Sequence, residues 1–150
     1  MVGILDDKDK KILAILKEDS SLSTQQISKK TLIPITTVHN RIKKLREEGI
    51  IKGYTVVLDH KKMGRQIAAY ILLTVDYNLL KKLNISQHNL AKKIRQNPNV
   101  EEVTMVTGGT DILIKVRVAD VEALDEFVTK YLRNVDGVER TQTMVILSEF

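Results

Sequence analysis

The chain has 150 residues, 43% apolar and 29% charged, which excludes a disordered chain and suits one comfortable core or two small domains. It has no cysteine, which excludes disulfides and thiolate-held metal. Its net charge of +5 and pI of 9.4 favour an anionic partner. That charge is unevenly placed: residues 1–58 carry +4 and residues 59–150 only +1, and within Thr24 to Lys52 seven basic side chains face two acidic ones. No apolar run approaches the ~18 residues needed to cross a bilayer, so no membrane partner is expected. The opening MVGILDDKDKK turns acidic at once without a signal-peptide core, so the expected location is cytoplasmic.

In chain order, Asp6 is the expected cap of a first helix, with Asp7 and Asp9 at the positive end of its dipole. Ile12, Leu13, Ile15 and Leu16 form its apolar face. Ser23 opens a second short helix, STQQISKKT, with Gln26 completing a capping box. Leu32-Ile33-Pro34 breaks the pattern. A third helix follows, with Ile35, Val38, Ile42 and Leu45 on one face, ended by Gly49. Two short helices joined by a tight turn, the second amphipathic and basic, describe a helix-turn-helix.

The polar face of the third helix divides by chemistry. Thr36, Thr37, His39 and Asn40, near its start, suit base edges and thymine methyls, whereas Lys43, Lys44 and Arg46 suit phosphates. Ser23, Thr24 and Gln25 present backbone N–H groups to a further phosphate. Arg41 lies at the margin of the apolar face and is placed either against DNA or against a neighbouring acid.

After Gly49 the period becomes two. Tyr54 to Leu58 is expected to be a short strand, and Asp59 to Gly64 a connector. The expected domains are therefore a helix-turn-helix over residues 1–52, a strand and linker over 53–65, and a second domain over 66–150. The β-prone Ile67 to Val75 comes first in that domain. A helix capped by Ser86 and a strand from Val100 to Thr107 follow. Next come the turn Thr107-Gly108-Gly109-Thr110-Asp111 and an alternating strand from Asp111 to Val118. A helix capped by Asp120, with Val121, Leu124, Phe127, Val128 and Tyr131 inward, leads to a last strand from Val138 to Leu147. The fold class is α+β: a helix-turn-helix domain plus a ferredoxin-like βαββαβ sandwich. One sheet face is left bare by the helices yet is too apolar for water, which predicts a sheet-to-sheet homodimer.

Enzymatic groups are not assembled. His39, His60 and His88 fall in three different elements, Gly108-Gly109 lacks a phosphate-loop Lys-Ser/Thr, and there is no serine elbow. Asp6-Asp7 reads as a helix start and Glu101-Glu102 as a solvated strand edge. Neither a catalytic residue, a metal nor a cofactor is expected.

The segments LDDKDKKILAILKED, QQISKKT, VHNRIKKLREEGIIKGYTVVLD and TGGTDILIKVRV stand in an order and spacing that resembles the Lrp/AsnC (leucine-responsive, feast/famine) transcriptional regulators across essentially the whole chain. The resemblance implies a sequence-specific regulator of double-stranded DNA that reads a pseudo-palindromic operator. It also implies a C-terminal module, often called RAM, that assembles a homodimer and commonly an octamer. That module binds a small effector, usually an amino acid, near a Gly-x-x-Asp turn. Carried over, this selects Gly108, Gly109, Thr110 and Asp111, with Thr104, Thr141 and Thr143 as neighbours by sheet order and Asp76 and Tyr77 further out. The turn's N–H groups suit a carboxylate, and Asp111 an ammonium. Two positions depart from the family pattern. Pro34 stands where a serine cap is usual, leaving the start of the third helix open by a residue or two, and Ser21 stands where an arginine is common. The competing reading is an amino-acid-sensing ferredoxin-like module whose basic helices contact a protein.

Overall fold

The computed structural model describes residues 5–149, which fall into two compact units divided between Leu58 and Asp59.

The first unit is three helices: α1 (Asp7–Glu18), α2 (Thr24–Thr31) and α3 (Ile35–Glu47). Each of the first two begins where a side chain satisfies orphan N–H groups. The Asp6 carboxylate accepts from the Asp9 N–H at 2.9 Å while the Asp9 carboxylate accepts from the Asp6 N–H, and Ser23 and Gln26 repeat the arrangement. Pro34 precedes α3 with φ −54° and offers no side-chain cap; its carbonyl accepts the first helical bond, from the Val38 N–H at 3.0 Å. This fixes the start of α3 at Ile35. Ile12, Ile27, Ile33 and Val38 form the buried centre, and burying each contributes on the order of 1.5–3 kcal/mol.

The α2–α3 turn holds an unusual residue. Leu32 is left-handed, at φ +58°, and 90% exposed. The Thr31 hydroxyl donates to the Ile27 carbonyl and accepts from the Ile33 N–H, and the Ser28 hydroxyl donates to the Ile33 carbonyl at 2.6 Å. These bonds hold a conformation that glycine would adopt without cost.

The strand expected at Tyr54 to Leu58 does not form: the segment has no partner strand among the described residues, and Val57 is 99% exposed. Alternation gives a strand its faces, but only a neighbour gives it a ladder.

The second unit runs β1 (Ile67–Val75), α4 (Tyr77–Leu83), α5 (Gln87–Arg95), β2 (Val100–Met105), β3 (Ile112–Val118), α6 (Val121–Glu126) and β4 (Val138–Val145). Its antiparallel sheet has the order β2-β3-β1-β4. The βαββαβ plan holds, with α4 as an extra helix started by the Asp76 carboxylate, which accepts from the Leu79 N–H at 2.9 Å.

Ala69, Ile71, Leu73 and Val75 of β1 and Ile112, Ile114, Val116 and Val118 of β3 point into one core beneath the helices. After α6 the chain makes one π-helical turn, Phe127–Tyr131, before a short 3-10 turn. The wider turn brings Phe127 and Leu132, five residues apart, into register, and both are buried. Val121, expected inward, is 68% exposed because it directly follows the cap and turns away from the sheet. Gly137 (φ +97°) seats the turn before β4 against α4, where a Cβ would lie 2.4 Å from Leu80 Cδ2.

The opposite sheet face carries Tyr70, Leu72, Leu113 and Met144, half-buried or exposed. At its end Arg117 is buried, its guanidinium held by Glu101 at 2.7 Å and Glu149 at 2.8 Å. Glu101 is thus an ion-pair partner inside the fold, not the solvated edge residue expected from Glu101-Glu102.

Candidate DNA-binding face and effector turn

α3 buries Val38 and Leu45 and turns Thr36, His39, Asn40, Lys43, Lys44 and Arg46 outward. Thr37 is half-buried at the rim. Thr37, Asn40 and Lys44 line an open cleft of about 350 Å³ together with Asp6, Asp9 and Arg41. On the other flank, His39, Lys43 and Arg46 border a second open cleft of about 620 Å³. Ser23, Thr24 and Gln25 stand at the start of α2, as expected from the capping box. The cations of α3 are only weakly compensated: Lys43 lies 3.9 Å from Glu47 and Lys44 3.7 Å from Glu48, both exposed pairs of small energetic weight.

Arg41 is different. Its guanidinium donates to Asp6 at 2.6 Å and to Asp9 at 2.9 Å, so two carboxylates neutralise it. Of its two expected placements, the structure shows the acid neighbour. The cause is helical geometry, since the margin of the apolar face is where α3 meets the N-terminal turn of α1.

The glycine turn is equally well defined. Gly108 is left-handed at φ +112°. The Asp111 N–H donates to the Leu73 carbonyl, and the Asp111 carbonyl accepts from the Val106 N–H at 2.9 Å. The two carboxylate oxygens accept from the Val75 N–H at 2.8 Å and from the Tyr77 hydroxyl at 2.7 Å. That bond to Asp111, with some desolvation, raises the Tyr77 phenol above its ordinary range. Gln87, which the sequence reading did not select, reaches the same point, its amide donating to the Asp111 carbonyl at 3.4 Å. Its only sequence signal is its place directly after the Ser86 cap.

Gly108, Gly109, Thr110, Asp111 and Tyr77 therefore lie together, and Asp76 sits beside them with its carboxylate committed to capping α4. The threonines do not gather as expected. Thr104 pairs with Leu113, whose other neighbour is Leu72, on the bare sheet face, whereas Thr141 and Thr143 pair with Leu73 and Ile71 on the helix face. Two strands separate Thr104 from Thr141, about 14 Å at ordinary strand spacing. Thr104 instead donates to Glu102 at 3.0 Å, in a cleft with Tyr70, Leu113, Lys115 and Met144.

Among the described residues no group of three or more His, Cys, Asp or Glu is placed to hold a metal ion, and no helix is long and apolar enough to cross a membrane.

The sequence model of the Lrp/AsnC ligand binding domain matches residues 69–150, and that of a winged helix-turn-helix DNA-binding domain matches residues 5–52. This chain belongs to the Lrp/AsnC family. It is 38% identical over 147 residues to the HTH-type transcriptional regulator FL11 of Pyrococcus furiosus, covering 98% of this chain and 92% of that protein. Among solved structures it resembles a transcriptional regulator of Neisseria meningitidis in complex with L-Met, with a TM-score of 0.86 at 26% identity, covering 97% of this chain and 92% of that one. It also resembles LrpC of B. subtilis, with a TM-score of 0.82 at 28% identity over 99% and 98% of the two chains. The protein is an HTH-type transcriptional regulator in which a DNA-binding domain precedes a ligand-binding domain.

Proposed function

We propose that this Lrp/AsnC regulator acts as a homodimer that lays two copies of α3 in successive major-groove faces of a pseudo-palindromic operator. The observation that carries the reading is α3 itself: exposed Thr36, His39 and Asn40 on its first turns and exposed Lys43, Lys44 and Arg46 beyond them. Bases are read by the first group, with Thr37 at the rim, and phosphates held by the second, with Ser23, Thr24 and Gln25 adding a backbone contact. The bare sheet face, with Tyr70, Leu72, Leu113 and Met144, is the surface that a second copy covers. Further association of dimers, to an octamer, brings several operators or half-sites under one assembly.

The effector is an amino acid. Its carboxylate is received by the N–H groups of the Gly108-Gly109-Thr110 turn and its ammonium by Asp111, with Tyr77 and Gln87 at hand. The solved L-Met complex of a structural relative supports this class of ligand. Thr141, which pairs with the turn's anchor Leu73, and Thr143 are kept with this site, and Thr104, which pairs with Leu113, is left out of it.

The test is selection of bound fragments from genomic DNA, with and without each of the twenty amino acids. Enrichment of a two-fold symmetric motif, changed by one amino acid, is expected. Absence of any enriched motif, with capture of a protein by the basic helices, would turn the reading to a protein-binding module. A motif indifferent to all twenty amino acids would remove the effector step alone.

A further inference from the structure

A second concentration of positive charge lies in the ligand-binding unit. Residues 77–99 hold five lysines and arginines and not one acidic residue, a net charge of +5, whereas the rest of residues 59–150 sums to −4. The segment contains α4 and α5, and Lys81, Lys82, Lys92, Lys93 and Arg95 are all exposed. Among the described residues, none of these five cations makes an ion pair. In the segment around α3, which also carries +5, Arg41, Lys43 and Lys44 all have acidic partners. Of the two +5 segments, only that of α4 and α5 has no cation in an ion pair among the described residues.

Lysines in the last turn of a helix complement its negative end, which accounts for where Lys81, Lys82, Lys92 and Lys93 stand. It does not account for 23 consecutive residues without an acid. The other exposed side chains include Asn78, Asn84, Asn89 and Gln96, amides of the kind that share phosphate contacts with lysine, beside His88 and one exposed leucine, Leu83. A second copy of the chain is a poorer fit. The chain as a whole carries +5, so a second copy brings a net charge of the same sign.

We propose that the α4–α5 surface is a second, sequence-independent contact for the DNA backbone, engaged by duplex that extends beyond the operator read by α3. The inference rests on the DNA-binding reading above and adds to it a length requirement. Each lysine that neutralises a phosphate releases counterions and steepens the salt dependence of binding.

The experiment compares the full-length protein with its Lys81→Gln/Lys82→Gln/Lys92→Gln/Lys93→Gln variant. The probes are a 20-bp duplex selected by the protein from a random pool and the same site centred in a 100-bp duplex. On the short duplex the two proteins bind alike. On the long one the variant loses about 2–4 units of the slope of log affinity against log salt, at roughly 0.9 per contact, and the matching Lys→Arg variant restores it. Equal slopes on the long duplex, or equal losses on both, would overturn the proposal. So would a change in the variant's oligomeric state without DNA, which would assign the surface to a neighbouring copy. If the unaltered protein binds neither duplex with salt dependence, the DNA-binding reading fails first; binding to the short duplex with no gain on the long one removes the second contact alone.

Discussion

The Arg41 guanidinium lies 2.6 Å from an Asp6 carboxylate oxygen, joining α3 to the residue that caps α1. The same carboxylate therefore starts one helix and orients another. The Asp9 N–H bond, and then Arg41, hold the Asp6 carboxyl down to about 2. An acid whose folded value is depressed stabilises the fold above its unfolded value, near 4, and that contribution is lost as pH falls through 2. Hydrogen-exchange protection of the α1 and α3 amides should hold above pH 4 and decline between about 4 and 2. Asp6→Asn should flatten that decline; an unchanged acid limb in the variant would show that the pair does not couple the helices.

The division of α3 into base readers and phosphate anchors gives opposite signatures. Asn40→Ala should cost ~1–3 kcal/mol at one base pair and spare random DNA. Lys43→Ala should weaken all sequences alike and lower the salt slope by about one. Competition binding on permuted operators measures both, and equal losses on specific and random DNA for Asn40→Ala would remove its base-reading role.

Leu32 stores strain in the α2–α3 turn. A left-handed leucine costs roughly 1–2 kcal/mol relative to a right-handed one, partly offset by the greater freedom of an unfolded glycine. Leu32→Gly should therefore raise stability by about 0.5–1 kcal/mol, and Leu32→Ala should not. Thermal melts of both variants decide it, and a destabilised Leu32→Gly would mean that the exposed side chain has a partner.

Gly137→Ala should act in the other direction. Its Cβ would stand 2.4 Å from Leu80 Cδ2 at a φ of +97°, so both space and backbone oppose it. A loss of about 1–3 kcal/mol is expected in denaturant titration, with α4 the first element to lose amide protection. A neutral result would show that Leu80 moves aside freely.

The elements set by local chemistry were legible from residues alone. Asp6, Ser23, Ser86 and Asp120 each cap a helix where the capping pattern puts one, and β3 alternates as its sequence alternates. What escaped depends on neighbours distant in sequence. Tyr54 to Leu58 has strand composition but, among the described residues, no strand to pair with. The carboxylate that engages Arg41 belongs to Asp6, 35 residues away. Threonines that look alike along the chain fall on opposite sheet faces because register, not composition, assigns a face. Helix α4 was missed because its seven residues are too few for periodicity to speak.

The Asp111 carboxylate already has two donors of its own, the Val75 N–H and the Tyr77 hydroxyl. Any ammonium arriving there bargains with Tyr77, the first residue of α4, for the same oxygen. Occupancy of the turn and anchorage of α4 are consequently linked, and reciprocally so: whatever weakens the hold on Tyr77 favours the ligand by the same factor that the ligand weakens the hold. A message entering at the glycine turn thus has, one hydrogen bond away, the start of the protein's second concentration of positive charge.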